Sequence, residues 1–281
     1  MKVSQADLLI DNRASHGEGP VWSDGILYWV DLTACRLHAW RSEDGSVRDF
    51  QFDEPVCAVA PLAEGRLFIA FAKRLAFVNL ADLSCEEICR MEPDLPSNRC
   101  NDGKMDPLGR FWVGTMSDDG SVVGAGSLYR LDEDGQLTRV LDQLTIPNGM
   151  GWSLDHRTMY FIDSPTREIW AFDFNPADSS ITNRRTVVRV PEGLGIPDGM
   201  TVGADGTLWV AHWGAGCVCQ WCPRSGELLH RIDTGCQHTS SCCFGGKDGR
   251  QLFITTSRLG LPRPTPSSGS LFQHFNIYPK I

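Results

Sequence analysis

The chain has 281 residues, 26 Lys+Arg against 35 Asp+Glu for a net charge of −9, 42% hydrophobic residues and 22% charged residues. These are ordinary globular values in a chain long enough to bury a large core, so disorder as the main state is excluded. The acidic balance excludes a general nucleic-acid or anionic-membrane binder, which needs a basic footprint, and no run approaches the ~18 apolar residues of a membrane span.

From the N-terminus, Met1 to Asp7 lacks the apolar stretch of a secretory signal, and Lys2 to Ile10 reads as a strand. Six short apolar runs follow: Leu27-Tyr-Trp-Val-Asp31, Leu67-Phe-Ile-Ala70, Phe111-Trp-Val-Gly-Thr115, Met159-Tyr-Phe-Ile-Asp163, Leu208-Trp-Val-Ala211 and Leu252-Phe-Ile-Thr-Thr256. Nearly all follow a turn signal such as Asp24-Gly25, Asp205-Gly206 or Asp248-Gly249. Each is followed by a second strand-like segment and, in five cases, a third. A further strand precedes each turn, beginning at Glu18, Val56, Asn101, Asn148, Asp198 and Ser240, which lie 38 to 50 residues apart. Four strands per period of ~40–50 residues is the pattern of a β-propeller. The expected fold is therefore all-β, a six-bladed β-propeller forming a single domain over 1–281. The last unit runs out at Ile281 without a fourth strand, and the N-terminal strand is expected to supply it and close the ring. Eleven irregularly spaced Cys argue against a disulfide framework and for a reducing cytoplasm.

In a propeller the first strand of each blade lines the central channel. Glu18, Val56, Asn101, Asn148, Asp198 and Ser240 therefore converge at one end of it. Two carboxylates and two amides around one axis are costly to bury unless paired or bound to a metal. An oxygen-rich set without Cys or His suits a hard divalent ion, calcium, magnesium or manganese, with zinc behind them. Three protein ligands leave positions open for water and substrate.

Gly17-Glu-Gly-Pro-Val-Trp22, Asn98-Arg-Cys-Asn-Asp-Gly-Lys104, Gly109-Arg-Phe-Trp-Val-Gly-Thr-Met116, Ile146-Pro-Asn-Gly149, Trp152-Ser-Leu-Asp-His156 and Ile196-Pro-Asp-Gly-Met200 resemble the SMP-30/gluconolactonase family, which includes regucalcin and bacterial sugar lactonases. Ser240-Ser-Cys-Cys-Phe-Gly-Gly-Lys-Asp248 extends the resemblance over almost the whole chain. It implies a six-bladed propeller with one divalent metal ion held by Glu18, Asn148 and Asp198, and substrate contacts at Arg99 and Asn101. The family's acidic substrate contact lies in the loop after the Gly-Thr-Met strand. Here that loop, Ser117 to Gly126, carries no Glu, so the contact is expected to be missing, and the tail after Leu259 is shortened.

The expected reaction is hydrolysis of a sugar lactone to its aldonic acid. The metal would polarise the carbonyl and Asp198 would be the general base. Arg99 and Asn101 would orient the sugar. The expected partner is a small-molecule sugar lactone, with no nucleic acid and no membrane, and the protein is expected as a monomer or weak homo-oligomer. Two alternatives stand beside this one: a phosphotriesterase-like or luciferin-recycling hydrolase on the same site, and a non-catalytic calcium-binding regulatory propeller. Cys217-x-Cys219-x-x-Cys222 has no second pair at zinc spacing and reads as core. His16 reads as a turn histidine and Asp163 as a turn cap. Cys57 and Cys100 adjoin channel positions, so their modification would reach the site.

Overall fold

The computed structural model describes residues 1–132 and 135–275. The apolar runs form strands flanked by tight turns, and no α-helix occurs among the described residues. No helix there is long and apolar enough to cross a membrane.

The N-terminal segment is two strands, β1 (Lys2–Gln5) and β2 (Asp7–Ile10), separated by the buried Ala6. Four sequential antiparallel sheets follow. The first is β3 (Gly17–Ser23), β4 (Ile26–Asp31), β5 (Arg36–Arg41) and β6 (Val47–Gln51). The second is β7 (Val56–Pro61), β8 (Arg66–Phe71), β9 (Arg74–Asn79) and β10 (Cys85–Arg90). The third is β11 (Asn98–Met105), β12 (Phe111–Ser117), β13 (Gly126–Leu131) and β14 (Leu137–Leu144). The fourth is β15 (Pro147–Trp152), β16 (Thr158–Asp163), β17 (Glu168–Asn175) and β18 (Ser180–Arg189).

The remaining strands correct the expectation of six separate blades. β19 (Ile196–Val202), β20 (Leu208–Trp213), β21 (Cys217–Trp221), β22 (Leu228–Asp233), β23 (His238–Gly245), β24 (Gln251–Ser257) and β25 (Leu271–His274) join β1 and β2 in one nine-stranded sheet. The link is a backbone pairing of Trp213 with His238, which ties β20 to β23 and fuses the last two repeats. The fold is an all-β propeller of four four-stranded blades and one composite sheet, not six blades. The N-terminal segment serves both halves of that sheet: β1 lies parallel to β22, and β2 lies antiparallel to β25. The absence of a fourth strand before Ile281 falls partly on 276–281, outside the described residues.

The first strands of the repeats touch in cyclic order, β3, β7, β11, β15, β19, β23 and back to β3, enclosing a central channel. Apolar layers fill the gaps between neighbouring sheets. Phe68 packs on Phe111 at 4.3 Å between the second and third sheets, and Trp22 stacks on Phe253 at 5.3 Å where the first sheet meets the last. Burying such rings contributes ~1.5–3 kcal/mol each, so these layers hold the ring together.

Candidate functional site

Each inner strand carries a bulge at the same place. One extra residue is inserted between Glu18 and Val21, Val56 and Ala58, Cys100 and Gly103, Pro147 and Met150, Pro197 and Met200, and Thr239 and Ser241. A bulge frees its residues from the ladder and re-aims their side chains. Asn101, Asn148 and Asp198 sit inside such bulges, and Glu18 opens one. Glycine follows Asn148 and Asp198 because the inner strands nearly touch there. A Cβ on Gly149 would lie 2.5 Å from the Asp198 carbonyl oxygen, and one on Gly199 would lie 2.0 Å from Ser241 Oγ.

Glu18, Arg99, Asn101, Asn148 and Asp198 all line one cavity of about 230 Å³ at this end of the channel. Val56 and Ser240, the other two ring positions, are absent from its lining. Ser240 Oγ instead donates to the Gly17 carbonyl at 2.6 Å. A larger cavity of about 410 Å³ lies further along the same strands, lined by Asp102, Lys104, Trp22 and Phe244 among others. None of the five predicted residues lines it, so the smaller cavity is the candidate site.

Glu18, Asn148 and Asp198 are buried. Burial pushes the Glu18 carboxyl up to about 8, reinforced by Asp102; the Gly19 N–H, donating to Oε2 at 2.9 Å, and the Arg99 charge oppose the rise without cancelling it. Burial, then Glu18 and Asp102, also raise Asp198 well above the usual carboxylate range, against the Asn148 side chain and the Gly199 N–H. Asn148 Nδ2 donates to Ser164 Oγ at 3.1 Å, which leaves the amide oxygen as its acceptor. Among the described residues no three His, Cys, Asp or Glu form a metal cluster on their own, and the Asn148 amide oxygen would be a third donor beside Glu18 and Asp198. Two desolvated carboxylates and an amide oxygen form a hard donor set, and a divalent cation would offset the cost of burying them. The residues present fit such an ion.

Arg99 is held on the cavity wall by its backbone neighbours. Nε donates to the Asp118 carbonyl at 3.1 Å, and Nη1 donates to the Cys100 carbonyl at 2.8 Å and to Asn101 Oδ1 at 2.9 Å. Asn101 Nδ2 in turn donates to the Pro147 carbonyl at 3.0 Å. The pair is a preformed polar edge.

Several lining residues were not assigned to the site from sequence. Asp119, from the 117–126 loop, reaches the cavity, so the loop does supply an acid there. The loop has no Glu, and the Asp119 carboxylate accepts from the Ser121 N–H at 3.0 Å and Oγ at 2.7 Å. Trp213 and His16 also line the cavity. His16 forms an isolated β-bridge with Ser257, to whose Oγ its Nδ1 bonds at 2.9 Å, so it is a cavity residue on a bridge and not the turn histidine expected. Asp163 is a loop clamp: its carboxylate accepts from the Thr145 and Ile146 N–H groups. Asp31 does the same in the first sheet for the Ser15 and His16 N–H groups. Cys57 and Cys100 are fully enclosed, and burial pushes Cys57 to about 12 and Cys100 well above the usual thiol range. Enclosed, protonated thiols are poor nucleophiles.

Residues 16–258 match the SMP-30/gluconolactonase/LRE-like region. Regucalcin of Danio rerio is 36% identical over 281 residues, covering 97% of this chain and 95% of its own length. A structure from Agrobacterium tumefaciens described as a calcium-binding protein, regucalcin, superposes with a TM-score of 0.91 at 26% identity, covering 97% of this chain and 95% of that one. A gluconolactonase from Xanthomonas campestris superposes with a TM-score of 0.76 at 28% identity, covering 95% of this chain and 87% of that one.

Proposed function

Because the chain belongs to the SMP-30/gluconolactonase/LRE-like family, we propose that it is a lactonase that hydrolyses a sugar lactone to its aldonic acid with the help of one divalent metal ion. The observation that carries this reading is the single cavity in which a desolvated carboxylate pair, an amide oxygen and the Arg99–Asn101 edge meet. The whole chain acts as one domain in this reading.

Glu18, Asn148 and Asp198 would hold the ion. When bound, a divalent ion supplies Lewis acidity toward a carbonyl oxygen. Arg99 and Asn101 bind the sugar hydroxyls and present the carbonyl carbon to water. Asp198 takes the proton of the attacking water as general base. The ring C–O bond then breaks, and the departing ring oxygen recovers a proton as a hydroxyl.

A non-catalytic calcium-binding role is the second reading, supported by the oxygen-only donor set and by the Agrobacterium relative. It gives Arg99 and Asn101 no task. The test is a pH-indicator assay over gluconolactone, galactonolactone, arabinolactone and xylonolactone with calcium, magnesium, manganese and zinc in turn. Turnover abolished by chelation is expected. Asp198→Asn, assayed with its metal content measured, is expected to lose at least about 100-fold in rate; full activity would sink the base assignment.

A further inference from the structure

The cavity has one wall that the proposed reaction does not use. Trp213 ends β20 and lines the cavity, half-buried. Its indole stacks on His238 with centroids 3.9 Å apart and planes 19° apart. His16 meets it edge-on at 5.5 Å. Both neighbours are anchored: His238 Nδ1 bonds the Leu259 carbonyl at 3.0 Å, and His16 Nδ1 bonds Ser257 Oγ at 2.9 Å. The backbone under the stack is fixed by the Trp213–His238 pairing. A large ring is therefore held rigid beside a cavity, where it loses little entropy when something packs on it.

The wall also has a defined position. In the cycle of inner strands β11 is three places from β23, directly across the channel. Arg99 and Asn101 stand on β11, and the Trp213–His238 stack stands where β20 meets β23. A bound molecule thus has a hydrogen-bonding edge on one side and an aromatic face on the other.

We propose that Trp213 is a specificity-determining residue, a platform for the C–H face of an uncharged monocyclic ligand whose hydroxyls point to Arg99 and Asn101. The class is a pentose or hexose lactone in ring form. For turnover the proposal rests on the lactonase reading; for binding it does not.

The probe is gluconolactam, a ring isostere that resists hydrolysis, titrated by calorimetry into the metal-loaded wild type, Trp213→Phe, Trp213→Leu and Trp213→Ala. Removing an aromatic stacking partner is expected to weaken binding about five- to tenfold in the Leu and Ala variants, with Phe retaining most of it. With gluconolactone as substrate, KM should rise by a similar factor while kcat stays within about twofold. Leu keeps the bulk without the ring, so it carries the test if Ala does not fold. Wild-type binding of the lactam in Trp213→Leu, or no lactam binding by the wild type, overturns the platform. If no lactone is turned over yet the Leu variant loses lactam affinity, the lactonase reading fails and the platform stands.

Discussion

His212 illustrates how one buried group sets a pH dependence. Its ring is fully enclosed, Nδ1 bonds the Leu194 carbonyl at 2.8 Å, and Nε2 accepts from Trp221 Nε1 at 3.2 Å. That pattern needs the neutral imidazole, and burial lowers its pKa from 6.5 to about 4. Between those values the unfolded chain holds a proton that the folded chain refuses. The stability is therefore complete above pH 6.5 and is lost as pH falls through 4, by roughly 3 kcal/mol. His16, lowered for the same reason, acts in the same direction. The raised Glu18 and Asp198 carboxyls act in the opposite direction, so the His212 share is read as a difference between wild type and His212→Gln in urea unfolding at pH 7 and pH 5. The destabilisation by His212→Gln should be smaller at pH 5 than at pH 7 by about 2 kcal/mol; an equal destabilisation at both would contradict the assignment.

At the scale of the element, the bulge is what makes this strand end a site. Period-two alternation through 101–102 would send Asn101 and Asp102 to opposite faces. The bulge between Cys100 and Gly103 instead turns both toward the channel, Asn101 to the smaller cavity and Asp102 to the larger. Repeat spacing was enough to read Glu18, Asn101, Asn148 and Asp198 as neighbours, because the bulges recur in register; Arg99 came from the family resemblance. It could not reveal Asp102, nor Trp213, which ends a second strand opposite Ile196 and is outside the first-strand series. The glycines after Asn148 and Asp198 follow from that close approach. Gly149→Ala should cost about 1–3 kcal/mol in denaturant, since the new methyl meets the Asp198 backbone. It should also weaken divalent-ion binding by calorimetry; wild-type values in both would show that the strands tolerate wider spacing.

At the scale of the molecule, the all-β architecture was legible from short strands and turns, whereas the grouping of strands into sheets was not. Periodicity marks where repeats begin, but the Trp213–His238 pairing depends on how two loops meet, and no local pattern encodes it. The N-terminal segment was expected as one strand and is two, covering β22 and β25 together. Deleting residues 1–11 would bare both edges at once. The expected result is a Tm lowered by at least about 5 °C and association seen by size-exclusion chromatography; a monomer of wild-type Tm would refute it.

The composite sheet also joins the ring unevenly. Backbone contacts also tie other neighbours, Cys100 N–H to the Ala72 carbonyl and the His16–Ser257 bridge, while the Trp213–His238 pairing joins the last two repeats into one sheet beside the candidate site. Trp213 stands on that pairing, and Arg99 belongs to a separate sheet across the channel. The seam between the last two repeats and the aromatic wall of the cavity are therefore one structural unit, so a substitution that loosens one disturbs the other.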